Sequence, residues 1–85
     1  TANPVATKVT LLPMAEGTHR AVDHLVRERA LRVARMRELT TAKHDPRTTL
    51  QEVLAADHAL AHLDADLRWI ESARRRIHDL EGEIA

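Results

Sequence analysis

His58, His62 and Asp66 follow one another at four-residue intervals. On a helix that spacing lines side chains along one face, and two imidazoles with a carboxylate can chelate a divalent ion. A closed zinc site needs three or four ligands with groups behind them, so metal binding ranks third among the readings of this chain. His19 and Asp23 repeat the spacing near a helix start, and His44 suits a cap on a helix C-terminus better than a general base. Nucleophilic chemistry has little to work with. The sequence holds one serine, Ser72, no cysteine and no glycine-rich phosphate loop. No enzymatic activity and no cofactor are expected. A different chemistry is offered by Arg74, Arg75 and Arg76, a compact basic run, and by Arg20, Arg27 and Arg35, which share much of one helical face. Such clusters contact phosphates. Against that reading stand the zero net charge and the neighbouring Glu71, Asp79 and Glu81.

These side chains must be carried by a very small molecule. The chain has 85 residues, with 13 basic and 13 acidic groups. Apolar residues are 44% of it, yet 14 of them are alanine, so core-filling material is scarce. A chain of this size buries a modest share of its surface and usually needs a staple or a partner. Without cysteine there is no disulfide to supply the staple. One aromatic residue, two glycines and three prolines argue against a sandwich or barrel. There is no long apolar run and no basic-then-apolar leader pattern, so the expected location is cytoplasmic or particle-associated.

The pattern predicts an all-α protein: an antiparallel, coiled-coil-like two-helix hairpin with an extended N-terminal arm. Residues 1–17 form the arm, in which Val5, Thr7, Val9 and Leu11 alternate with their neighbours between Pro4 and Pro13. Residues 18–85 form the hairpin. Its first helix covers about 18–43, with Thr18 as N-cap. Val22, Val26, Arg29, Val33, Met36 and Thr40 make a four-three stripe along it. A turn over 44–48 contains Pro46. The second helix, about 49–81, opens on Thr49-Leu50-Gln51-Glu52, a capping box. Val53, Ala56, Leu60, Leu63, Leu67, Ile70, Arg74, Ile77, Glu81 and Ile84 continue it as a heptad ladder.

Charge supports the hairpin. Residues 1–48 carry nine basic and five acidic groups, a net of +4, whereas residues 49–73 carry one basic and five acidic, a net of −4. A turn centred near Asp45–Pro46 would place Val26 against Leu67, Val22 against Ile70 and Arg29 against Asp64. Arg29, Asp64 and Arg74 are therefore expected to set the register. A second face of the long helix, made by Leu54, Ala61, Ala65, Trp69 and Leu80, has no use inside a two-helix hairpin. It is the predicted partner-binding face, with Val9 and Leu11 of the arm reaching across to a neighbour.

The functional expectation is a structural assembly protein. It would associate with copies of itself or dock in a larger complex or particle, with phage capsid accessory or decoration components as an analogy of plan. The first alternative is a small dimeric helical module that binds nucleic acid or regulates. The second is a His-rich metal-binding protein. No membrane partner is expected.

Overall fold

The computed structural model describes the backbone of residues 14–84 and the side chains of residues 17–82. Two helices are present, α1 (Met14–Lys43) and α2 (Leu50–Ile84), joined by a short turn and packed as an antiparallel hairpin. At 1.5 Å per residue α2 alone is about 52 Å long, and the molecule measures 55 × 23 × 16 Å. The described residues form a rod two helices wide, so they do not wrap either helix on all sides.

α1 starts earlier than its sequence suggests. Thr18 is inside the helix, not its cap, and the boundary expected between 17 and 18 falls at Met14. Met14, Ala15 and Glu16 have good helix propensity, and the interior Gly17 costs only about 1 kcal/mol relative to alanine. Gly17 is buried, as is Ala21 one turn on. The remainder of the arm, with Val9 and Leu11, lies outside the described residues.

The turn satisfies the carbonyls at the end of α1. His44 Nδ1 donates to Thr40 O at 2.7 Å. The Thr48 hydroxyl donates to Ala42 O at 2.6 Å. Main-chain bonds from His44 N to Thr41 O (3.2 Å) and from Asp45 N to Ala42 O (3.2 Å) complete the cap. Asp45 accepts the Arg47 amide across Pro46 at 2.9 Å, an Asx turn that reverses the chain. Thr49 then caps α2 as its sequence announces, its hydroxyl accepting Glu52 N at 3.2 Å and donating to Glu52 Oε1 at 2.9 Å.

The core is a single contact with a short fringe. Leu25 and Ile70 are the two fully buried large side chains among the described residues, and Trp69, Ala73 and Ile77 lie against them. Two details depart from the expected packing. The seam of α1 is Ala21, Leu25, Glu28, Arg32, Leu39 and Lys43, whereas Val26 and Arg29 are exposed. Leu25, not Val26, is thus the knob, and its mate is Ile70, not Leu67. On α2 the ladder holds as far as Ile70, but then Ala73 replaces Arg74 and Leu80 replaces Glu81. The exchange spares two charged groups from burial.

Truncation at the single core contact should be costly. Leu25→Ala is expected to destabilise the hairpin by about 2–5 kcal/mol, whereas Leu31→Ala, at a side chain 65% exposed, should change stability by less than about 0.5 kcal/mol. Urea unfolding followed by helical circular dichroism measures both.

Candidate functional site

A chain of polar groups crosses the seam one turn below the Leu25–Ile70 contact. Glu28 and Arg32, four residues apart on α1, form an ion pair. The same guanidinium donates from Nη1 to Glu28 O at 3.2 Å and from Nε to Asp66 Oδ2 on α2 at 3.1 Å. Burial opposes the charge on Arg32, but the hydrogen bonds to Glu28 and Asp66 outweigh it and hold its pKa above the ordinary arginine value. His24 stands one turn before Glu28. Its Nε2 is shielded from solvent without a hydrogen-bond partner, 3.9 Å from Glu28 Oε1. A second ion pair, Lys43 with Asp57, joins the helices near the turn. Both interhelical pairs take the cation from α1 and the anion from α2, as the charge division of the sequence requires.

The expected Arg29–Asp64 pair does not form. Asp64 pairs with Arg68 one turn along its own helix at 3.1 Å, and Arg29 is exposed. Thr48 N bonds Asp45 O at 3.0 Å, which winds the turn through residues 45–48 and moves its midpoint beyond Asp45–Pro46. The mates on α2 accordingly lie further along the chain. Arg74 is exposed and takes no part in the seam. The triad His58, His62 and Asp66 is also divided. The two imidazoles meet edge to face with ring centroids 4.5 Å apart, while Asp66 turns to Arg32. Among the described residues no group of three His, Cys, Asp or Glu side chains is placed to hold a metal ion.

The proposed contact face is likewise split. Leu54 is 58% exposed, and Ala61 and Ala65 are exposed beside it. Trp69 and Leu80 are half-buried, and Trp69 packs on the Leu25–Ile70 contact. The tryptophan therefore helps to close the hairpin's own core. Arg74, Arg75 and Arg76 are all exposed. At the turn, a shallow depression is lined by Thr40, Thr41, His44, Asp45, Pro46 and Arg47. Its three ionisable groups are already committed, His44 to a carbonyl and Asp45 and Arg47 to each other.

No known protein family, curated protein or solved structure matches this chain. Its surfaces must therefore be interpreted on their own chemistry. No helix among the described residues is long and apolar enough to cross a membrane. The sequence reading missed Glu28 and Arg32 because it followed the valine stripe. The four-three spacing of Ala21, Leu25, Glu28 and Arg32 was the available signal, obscured by charge at two of its four places.

Asp45 makes the turn pH-sensitive. Its hydrogen bonds from the Arg47 side chain, and then from the Arg47 amide, hold its pKa below the ordinary aspartate value of 3.8. A carboxylate with a depressed folded pKa stabilises above its unfolded pKa, and that contribution is lost as pH falls through the folded value. Between neutral pH and about pH 4 the contribution should persist, and below that it should fade. Asp45→Asn should remove this acid-side step from the stability curve measured by thermal melts between about pH 2 and pH 7.

Proposed function

We propose that this chain is a non-enzymatic assembly protein, a helical hairpin that joins with copies of itself or with a larger complex. The observation that carries the reading is a deficit of burial. Four residues, Ala21, Leu25, Ala56 and Ile70, make up the buried apolar core among the described residues, and two of them are alanine. Val26, Leu31, Leu50 and Leu54 remain exposed on the same short rod. Large apolar side chains left on so small a fold favour an interaction surface. The interhelical ion pairs contribute specificity of register more than stability, so they do not replace the missing apolar contact. A component of a particle such as a phage capsid accessory or decoration protein fits this plan. In such a setting the neighbouring subunits supply what the hairpin lacks.

One observation favours a second reading. Because Ala73 takes the seam position, all three guanidinium groups of Arg74–Arg76 face solvent, and a nucleic-acid backbone is the alternative partner. Acidic Glu71 and Asp79 lie beside them, which weakens the local field and places this reading second.

Light scattering on the purified chain, together with affinity capture from its native source, tests the assembly reading. The expected outcome is a mass above 9.6 kDa or a stoichiometric protein partner. A single-chain mass with full helicity and no captured protein contradicts it. Salt-sensitive retention on DNA or RNA, abolished by neutralising Arg74–Arg76, would instead support the nucleic-acid reading.

A further inference from the structure

α1 carries two apolar stripes, about a quarter turn apart at 100° per residue. One is the seam that holds Leu25. The other is Val22, Val26, Val33 and Met36, with Arg29 and Thr40 filling the remaining places of an unbroken four-three repeat. On α2, Leu60 and Leu67 are half-buried at the edge of the inner ladder, displaced from Leu63 and Ile70 in the same rotational sense. In an antiparallel pair, stripes rotated the same way from the seam emerge on one side of the hairpin. The two rows therefore border one continuous groove. None of its aliphatic side chains is buried, and Val26 is 46% exposed.

We propose that this groove is filled by the same groove of a second copy of the chain, giving an antiparallel four-helix bundle in which α1 of one copy lies over α2 of the other. The proposal rests on the assembly reading and names its occupant. Three observations identify it. The heptad spacing of both rows is the one that interdigitates with a like row. Exposed charge borders the groove asymmetrically, with Arg29 and Arg37 along the α1 edge and, along the α2 edge, Asp64 and Glu71 against the single Arg68 that pairs with Asp64. A chain of net charge zero does not repel its own copy. A two-fold axis parallel to the helices brings each basic edge to an acidic edge and makes one patch self-complementary. The other two-fold arrangement, α1 over α1, would set like charges together. The arrangement also explains the opposed composition of the two stripes. The seam of α1 tolerates Glu28, Arg32 and Lys43 because the bundle's apolar centre lies on the other stripe.

Sedimentation equilibrium of the full chain, with two single variants, tests this proposal. Val26 and Leu54 are both exposed in the hairpin, and Leu54 lies outside the groove on the face of α2 turned away from the seam, so glutamate at either place leaves the hairpin's own contacts intact. The wild type should sediment at twice the chain mass. Val26→Glu should weaken the dimer by about tenfold or more, because it buries an unpaired charge. Leu54→Glu should leave it unchanged, and added salt should loosen the wild-type dimer. A wild type of single-chain mass at every concentration overturns the proposal, while docking on a different protein would still stand. Dissociation by Leu54→Glu but not by Val26→Glu keeps self-association and rejects this groove. A dimer tightened by salt rejects the α1-over-α2 arrangement.

Discussion

The contact of Leu25 with Ile70 is the constraint on which the hairpin depends. Among the described residues it is the one place where two large apolar side chains are removed from water completely. Trp69, Ala73 and Ile77 are positioned by it, and the Glu28–Arg32–Asp66 bridge follows one turn below. Two fully buried residues yield only a few kcal/mol of apolar stabilisation, at about 1.5–3 kcal/mol each. The scarcity of burial is thus the physical fact from which the functional reading grows.

Charge performs a different task. The positive first half and negative second half of the hairpin meet in Arg32–Asp66 and Lys43–Asp57. The carboxylate of Asp66 is 40% exposed, so solvent screening limits what that bridge adds to stability. Its value lies in fixing how far α2 slides along α1. The same division of charge, repeated on the outer edges of the groove, bears on how a second copy would be oriented.

Much of this architecture was legible in the residues. Thr49 and Glu52 announced the start of α2, and His44 and Pro46 announced the end of α1. The ladder from Val53 to Ile70 gave the inner face of α2. The charge division gave the sense of packing. The rotation of α1 was not legible. Its two stripes differ by one residue in phase, and a sequence does not state which stripe meets the chain's own second helix. The valine stripe is the cleaner of the two and by pattern alone reads as the seam. Leu25 sits in the more charged stripe, where Arg32 and Lys43 pair with carboxylates of the facing helix. Trp69 misled for a related reason. It lies off the ladder by position, but its ring is large enough to reach back to the Leu25–Ile70 contact.

Four buried apolar residues among those described leave the hairpin short of burial to stand alone. The most direct measurement is the melting midpoint of the helical signal over about a 100-fold range of protein concentration. Stability that comes from a second copy makes the midpoint rise with concentration. An upward shift is the result this account expects. A midpoint independent of concentration, with a single-chain mass throughout, would contradict it.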